Sequence, residues 1–371
     1  MRTLASIAKA AIDAFSDQHD GFALAGALAN KRDRASAIGL APPLALIEQT
    51  SRSLLAEIEV KANYHGAPIQ RIALRLDGAV VAEIYGFERR LLGLATGIHD
   101  GVIVLSTSWQ PELIPWLCHR LQDFAALDLA TFRVTGPGMA HAASDPRIIR
   151  NRTMTALMSA RHVQEVMPLD ARFTEFFERL GLGMSGSVGH SRDQMAKQNI
   201  DFHFSLGADA AGSNLRKLTA TRKLPARQSF RKVASIERFV ATQPRPFQAS
   251  LSHRDGRLMS VAGGFIEGDL ALIAYQLNHR ADNQTNPSLM LRSYLLRQLI
   301  SEGARSLAFI GSCAGLLLRY CEPVPAAELL MIRNTRSARI RHQASIIAEP
   351  RGRIAQLSAE LAKTLELQGQ R

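Results

Sequence analysis

The first candidate for chemistry in this chain is a thiol. Cys313 follows Gly311 and Ser312 and is a candidate nucleophile, because a thiolate attacks carbonyl groups and forms covalent intermediates. A buried cysteine more often behaves as a small hydrophobic residue, so both interpretations stay open. The chain of 371 residues has 3 cysteines, and they show neither a disulfide framework nor the spacing of a zinc site. We therefore expect a reducing compartment and no metal.

Polar residues collect where a predicted strand gives way to a predicted helix. The apolar strand Leu270–Leu277 is followed by a polar loop, Asn278–Asn286. A helix then begins at Pro287, since proline is favoured in the first helical turn, and it ends at Gly303, a residue typical of helix ends. A short apolar strand, Ser306–Ile310, comes next. This order predicts a polar loop that opens directly onto a helix N-terminus.

A predicted hairpin precedes that loop and would position it. Ala249–Arg254 alternates like a strand, Asp255-Gly256 is a hairpin turn, and Arg257–Glu267 reads as the second strand. Gly263-Gly264 interrupts the second strand. Paired glycines inside a strand predict a bulge or a close approach of another backbone segment.

The same pattern occurs twice, about one domain length apart. Asp77-Gly78 is followed by Gly86-Phe87 at the spacing at which Asp255-Gly256 is followed by Gly264-Phe265. Strand-like segments surround each pair, and a helical pattern that starts with proline comes after each. We interpret this as a duplicated unit, and it predicts an α+β fold in which each of two tandem units has a mixed, mostly antiparallel sheet flanked by helices.

The repeat sets the predicted domain boundaries. We expect a first domain over residues 1–165, a second over residues 166–345, and a C-terminal amphipathic helix over residues 346–371 that packs on the body of the protein or on a partner. The first copy lacks a comparable polar loop before its helix. It is therefore expected to be a degenerate copy that serves as a scaffold or binds the acceptor.

The net charge of +12 predicts an anionic partner. Much of the excess lies in two arginine- and lysine-rich clusters, residues 216–238 and residues 333–341. Such clusters could bind the phosphates of CoA, of tRNA or of another nucleic acid, or an anionic membrane surface. A solvated basic face without a partner is the alternative for each cluster. The oligomeric state is left open.

One motif is a false lead for nucleotide binding. Residues 181–186 match the pattern G-x-G-x-x-G, but a predicted helix precedes them, whereas the dinucleotide fingerprint needs a preceding strand. We interpret Gly181–Gly189 as a flexible loop or a mobile lid. The sequence contains no Walker motif, no zinc-binding His-Glu helix and no Gly-x-Ser-x-Gly elbow.

The order of hairpin, strand, polar loop, helix and strand resembles the core of the GNAT acyltransferase superfamily. The resemblance is greatest to the branch with tandem GNAT-like domains, which contains CelD/BcsL-type acetyltransferases and Fem-type transferases. It rests on Asp255-Gly256-Arg257, Gly264-Phe265, Asp269-Leu270, Tyr275–Asn278, Asn286–Leu291 and Gly303-Ala304. In that fold the loop and the first helical turn bind the CoA pyrophosphate through backbone N–H groups. Residues 280–288 here contain no glycine, unlike the usual phosphate loop.

The resemblance implies a donor, acetyl-CoA or another acyl-CoA, and a set of site residues. The expected donor-binding residues are Gln276, Leu277, Asn278, Asn286, Pro287, Ser288, Leu289 and Met290. For acid–base chemistry the resemblance implies Tyr320 as the acid that protonates the leaving thiolate. His279 is the candidate base, acting directly or through water, and a structural hydrogen bond is the alternative role for each of these two residues.

Three functions follow as expectations. The first is an acyltransferase that moves an acyl group from acyl-CoA to an amine or hydroxyl of a small molecule or cell-envelope precursor. The second is a Fem-type transferase whose donor is an aminoacyl-tRNA. The third is a non-catalytic GNAT-like binding module for an anionic partner. The N-terminus lacks the continuous apolar segment of a secretory signal, so we expect a cytoplasmic protein.

Overall fold

The computed structural model describes residues 44–91, 94–123, 128–141, 147–207, 230–279, 286–310, 316–348, 350 and 352–369. They form two compact units. The first unit consists of the residues up to Val163 together with those from Pro323 onward, and the second unit is Gln164–Glu322. The second unit is therefore inserted into the sequence of the first. Among the described helices none has the length and apolar character needed to cross a membrane.

The elements follow one another in this order. The first unit begins with α1 (Leu44–His65), β1 (Gln70–Leu76), β2 (Ala79–Gly86), β3 (Glu88–Leu91), β4 (Leu94–Leu105), α2 (Ile114–Asp123), β5 (Leu129–Thr135), β6 (Arg147–Arg150) and β7 (Met154–Pro168), and β7 runs on into the second unit. The second unit adds α3 (Phe173–Arg179), α4 (Gly181–Lys197), β8 (Ile200–Leu206), α5 (Phe230–Ala241), β9 (Pro246–His253), β10 (Leu258–Glu267), β11 (Leu270–Asn278), α6 (Pro287–Ser301) and β12 (Ser306–Phe309). The chain returns to the first unit with β13 (Glu322–Arg333), α7 (Arg336–Ala348) and α8 (Arg353–Gly369).

The sheet of the first unit is mixed. Its strand order is β1-β2-β4-β5-β13-β7, with β3 on β4 and β6 on β7. β4 and β5 are parallel and α2 connects them. The pairs β1–β2, β2–β4, β5–β13 and β6–β7 are antiparallel.

The sheet of the second unit has the strand order β7-β12-β11-β10-β9-β8, to which β7 contributes its last residues. β11 and β12 are parallel and α6 connects them. The remaining pairs are antiparallel. Among the register pairs of the described residues, each unit thus has one parallel strand pair with a helix between the strands, which confirms the predicted α+β class with mostly antiparallel sheets.

Helices cover the sheets and bury their apolar faces. In the first unit, Leu54 and Ile58 of α1 pack against Val102, and α8 packs Leu357 against Leu330 of β13. The amphipathic C-terminal helix expected from the sequence therefore lies on the body of the protein. In the second unit the buried face of α6 packs in one cluster with strands β9 to β12 and with α3 and α4.

A chain of charged side chains, alternating in sign, runs through the first unit. Its members are Arg133, Glu57, Lys61, Asp100, Arg353 and Glu328. The network joins α1 and α8 to strands β4, β5 and β13. Each carboxylate in it contacts at least one cation at hydrogen-bond distance, which is the condition under which buried charge is tolerated.

Glu57 and Arg133 form the buried end of this network. Arg133 Nη1 lies 2.7 Å from Glu57 Oε2, and both side chains are 4% exposed. Lys61 Nζ lies 2.7 Å from the other carboxylate oxygen. Burial alone would raise the pKa of Glu57, but the charges of Arg133 and Lys61 outweigh burial and lower the pKa to about 2. Glu57 is therefore ionised at neutral pH.

Two expectations differ from the structure. Residues 323–345, which the sequence boundary places in the second domain, belong to the first unit because β13 pairs with β5. The glycine-rich segment 181–189 is not a loop but the start of helix α4. Gly181, with φ of +74°, separates α3 from α4, and the following residues are held in a helix that packs on α6. Tertiary packing overrides the low helix propensity of glycine here.

Because Gly186 lies within helix α4, its replacement by alanine should change the stability of the protein. Gly186 is exposed within α4, and a Cβ at this position would meet no atom within 4 Å. We expect Gly186→Ala to stabilise the protein by roughly 0.5–1 kcal/mol, because alanine loses less backbone entropy in a helix. The matched control, Gly181→Ala, should destabilise it since φ at 181 is +74°. Thermal unfolding of both variants tests this prediction. If residues 181–189 were a flexible loop, the two substitutions would not change stability in opposite directions.

Candidate functional site

The parallel strands β11 and β12 are paired along only part of β11, and the last residues of β11 lie beside the start of α6. Their register pairs run from Leu270–Ser306 to Ile273–Phe309, and Ile310 N–H donates to the Ile273 carbonyl. β11 then continues to Asn278. Within the described residues no register pair joins the last part of β11, residues 274–278, to β12, and we call this unpaired end of β11 the opening.

A bulge lies in β11 directly after its last register pair with β12. Gly263 pairs with Tyr275 but Gly264 pairs with Ile273, so Ala274 is the extra residue. The two glycines leave room for this bend. A Cβ at Gly263 would lie 2.2 Å from the Tyr275 hydroxyl, and one at Gly264 would lie 1.8 Å from the Leu272 carbonyl oxygen. The predicted bulge or close approach at Gly263-Gly264 is confirmed.

Tyr275 belongs to the bulge. Its side chain is buried, and Gln248 Nε2 donates to its hydroxyl at 2.9 Å. Burial raises the pKa of this phenol well above its ordinary value. Tyr275 is therefore a neutral, structural side chain at neutral pH.

Hydrogen bonds join the end of β11 to the first turns of α6. Asn278 Nδ2 donates to Ser288 Oγ at 2.6 Å, and Arg292 Nε donates to Gln276 Oε1 at 2.6 Å. Ser260 Oγ donates to the Asn278 carbonyl oxygen of the side chain at 2.7 Å, which orients the amide. These contacts bring together Gln276, Asn278 and Ser288, three of the predicted donor-binding residues.

Arg292 is a functional candidate that the sequence analysis missed. Its guanidinium lies 5.0 Å from the ring centroid of Phe309, at the end of β12, and its side chain is half-buried. The residue is four positions after Ser288, so both lie on one face of α6. That spacing could have identified it. A cation at this position would favour an anionic ligand in the opening.

The remaining predicted donor-binding residues contribute mainly backbone or core packing. Leu277, Leu289 and Met290 are buried, and Pro287 is the first residue of α6. Asn286 has φ of +52° and makes no side-chain cap. The N–H groups of Leu289 and Met290 donate to the Asn286 carbonyl, at 3.1 and 3.3 Å. A ligand that used these two N–H groups would have to compete with those bonds.

The structure shows the contacts of two acid–base candidates, Tyr320 and His279. The Tyr320 hydroxyl donates to the Leu180 carbonyl at 2.6 Å, and its ring packs against the core of the second unit. His279 is buried directly after β11, and its backbone N–H donates to the Met259 carbonyl at 2.6 Å. Cys313 and the loop 280–285 lie outside the described residues. The catalytic roles of Tyr320, His279 and Cys313 stay predictions.

The corresponding place in the first unit is closed. β4 and β5 stay paired as far as Val104 and Thr135, close to the end of both strands. Gly136, with φ of +111°, then turns the chain across β4, where a Cβ would lie 2.3 Å from the Leu105 carbonyl oxygen. The turn Pro137–His141 follows. The described ends of β4 and β5 are thus packed against the turn at Gly136, and that the first copy is degenerate stays a prediction.

The described residues contain no group of three or more His, Cys, Asp or Glu side chains that could hold a metal ion. Around the end of β11 the side chains include the amides of Gln276 and Asn278, the hydroxyl of Ser288 and the cation Arg292, and His279 directly follows the strand. Amides and hydroxyls bind polar ligands, whereas a phenol and an imidazole can transfer protons.

Along the chain the second unit has a hairpin, a strand, a helix and a parallel strand, and the helix starts beside the end of β11. This chain resembles the GNAT superfamily. Similar solved structures include a tandem GNAT protein from the clavulanic acid biosynthesis pathway, which is 12% identical over 79% of this chain and 97% of that chain, with a TM-score of 0.41.

Two further similar structures are FemX and L-PGS from Bacillus licheniformis. FemX is 10% identical over 74% of this chain and 90% of that chain, with a TM-score of 0.45. L-PGS is 12% identical over 85% of this chain and 98% of that chain, with a TM-score of 0.42. No protein-family model and no curated protein matches the chain. The resemblance therefore rests on the strand order of this chain itself.

Proposed function

We propose that this protein is an acyltransferase whose donor, an acyl-CoA, binds between β11 and β12. The observation that carries the proposal is the unpaired end of β11, which follows the bulge at Ala274 and whose Gln276 and Asn278 contact Ser288 at the start of α6. The start of α6 and the guanidinium of Arg292 both favour an anionic group there. The acceptor is an amine or hydroxyl of a small molecule or cell-envelope precursor.

The proposed chemistry is one acyl transfer. The acceptor nitrogen or oxygen attacks the thioester carbonyl and gives up its proton to His279, directly or through water. The carbon–sulfur bond then breaks, and the CoA thiolate takes a proton from Tyr320. For this step the Tyr320 hydroxyl has to leave the Leu180 carbonyl, to which it donates in the free protein.

Ligand-induced stabilisation tests the donor. A ligand at about 100 times its dissociation constant stabilises a protein by roughly 2.7 kcal/mol, which gives a measurable rise in melting temperature. We expect this rise with millimolar CoA, acetyl-CoA or a longer acyl-CoA. Ser288→Phe should abolish the rise because the ring would occupy the place where Ser288 meets Asn278.

The matched control is Ser301→Phe, an exposed serine at the other end of α6. This variant should keep the full rise in melting temperature. Melting curves without ligand show whether each variant is folded. No rise with any CoA species in the wild-type protein would contradict the acyl-CoA donor.

A second candidate is a Fem-type transferase that uses an aminoacyl-tRNA. Two observations favour it: the net charge of +12 and the lack of glycine in residues 280–288. Its acyl donor would be an ester, so the leaving group would be a ribose hydroxyl. RNA binding that weakens steeply with salt would support this candidate. A protein that binds an anionic partner but turns over no donor would instead be a non-catalytic module.

A further inference from the structure

The outer face of α7 carries two exposed aliphatic side chains. Ile340 is 60% exposed and Ile347 is 61% exposed, more than the other large hydrophobic residues in the described part of the chain. Arg336, Ile340, Gln343 and Ile347 follow one another at four-, three- and four-residue intervals, and all four are exposed. This spacing places them in one stripe along the helix.

The inner face of α7 fixes this orientation. Ala338 and Ser345 are buried, and Ile346 packs against the cluster that contains α8. Arg341 forms an ion pair with Asp128 at 3.1 Å, and His342 Nε2 lies 2.6 Å from Ser358 Oγ of α8. The helix cannot rotate its isoleucines inward without breaking these contacts. The stripe is therefore a stable feature of the first unit.

Exposed arginines lie on the same helix as the two isoleucines. Arg336 and Arg339 are exposed, and helix α7 contains no Asp or Glu. Asn334 Nδ2 donates to the Asn151 carbonyl at 3.0 Å, which brings the turn that holds exposed Arg152 to the start of α7. Within the described part of the chain, no ion pair neutralises Arg152, Arg336 or Arg339. We call Arg336, Arg339, Ile340 and Ile347 the α7 face.

We propose that the α7 face docks the protein on an anionic membrane surface. Aliphatic side chains at the boundary of headgroups and acyl chains, combined with cations that meet lipid phosphates, are the two components of interfacial binding. A nucleic acid would satisfy the arginines but not the isoleucines, since such interfaces are polar and strongly charged. The proposal is independent of the acyl donor.

Flotation of the full chain with lipid vesicles tests the proposal. We expect binding to vesicles of phosphatidylcholine with about 30 mol% phosphatidylglycerol or phosphatidylserine, and little binding to phosphatidylcholine alone. Binding should weaken as salt rises from about 0.1 M to about 0.5 M, because salt screens exposed charges. Equal binding with and without anionic lipid would overturn the proposal.

Two double variants examine the two components separately. Arg336→Gln with Arg339→Gln should lower the partition coefficient by about 25-fold, roughly fivefold for each charge. Ile340→Ser with Ile347→Ser should lower it at least tenfold, since both lose apolar burial. The control is Ile72→Ser with Leu76→Ser on β1, which removes two residues that are each 37% exposed. It should bind vesicles as the wild type does.

Other partners would give different results. If the isoleucine variants bind vesicles normally but change the oligomeric state measured by light scattering, the α7 face is a contact between protein chains and the proposal is wrong. It is also wrong if the arginine variants lose RNA binding while vesicle binding is unchanged. Melting temperatures within about 2 °C of the wild type would show that the exposed substitutions leave the fold intact.

Discussion

Gly264→Ala is expected to destabilise the second unit by about 3 kcal/mol or more. The new Cβ would lie 1.8 Å from the Leu272 carbonyl oxygen and 2.9 Å from the ring of Phe247. The carbonyl belongs to the backbone of the paired strand, so a side-chain rotation cannot relieve the clash. Strands β10 and β11 would have to move apart in the buried centre of the sheet, which costs more than ordinary overpacking.

Thermal unfolding with a probe for the second unit measures this effect. For a unit of this size the loss corresponds to a fall in melting temperature of roughly 6–12 °C. Gly186→Ala, in helix α4 of the same unit, is the control and should raise stability. A variant at 264 as stable as the wild type would show that β10 and β11 are not in the close register described. Because the bulge directly precedes the proposed donor-binding end of β11, CoA binding should weaken together with stability.

Glu57→Gln is expected to destabilise the first unit by about 3–5 kcal/mol. The substitution keeps the size of the side chain but leaves the Arg133 guanidinium, 4% exposed, without the carboxylate that neutralises it at 2.7 Å. An uncompensated buried charge is costly because the protein interior solvates it poorly. Chemical denaturation measures the loss. Glu48→Gln on the exposed face of the same helix is the control and should change stability by less than about 0.5 kcal/mol.

The same carboxylate makes stability depend on pH. The pKa of Glu57 is lowered from 4.5 to about 2 in the folded protein, so the unfolded chain binds the proton more tightly. The stabilisation is therefore complete above about pH 5 and is lost as pH falls towards 2. The difference in stability between wild type and Glu57→Gln should shrink over this range. A difference that stays constant with pH would contradict an ionised Glu57.

Local signals in the sequence predict much of the second unit. The Asp255-Gly256 turn, the bulge at Gly263-Gly264 and the start of α6 at Pro287 depend on residues close in sequence, and each was confirmed. Glycine and proline restrict the backbone whatever the rest of the chain does. The polar contacts of Asn278 with Ser288 follow from the same local order of strand, loop and helix.

Contacts between distant segments could not be predicted in this way. The pairing of β13 with β5, the salt bridge between Glu57 and Arg133, and the position of Arg292 over Phe309 join residues from different elements. Helix α4 shows the same limit, because its glycines favour a loop locally and only packing on α3 and α6 holds them in a helix. Each of these features depends on tertiary structure that no single segment encodes.

The insertion of the second unit has a consequence for biosynthesis. The ribosome delivers β5 long before β13, its antiparallel neighbour, and the whole second unit emerges between them. The second unit can thus become compact while the first still exposes the edge of β5. Pairing over so long a stretch of chain is slow, and an unpaired strand edge attracts other chains. We infer that the segment made first is the last to complete its fold, and that nascent or truncated chains ending before β13 are the forms most prone to aggregate.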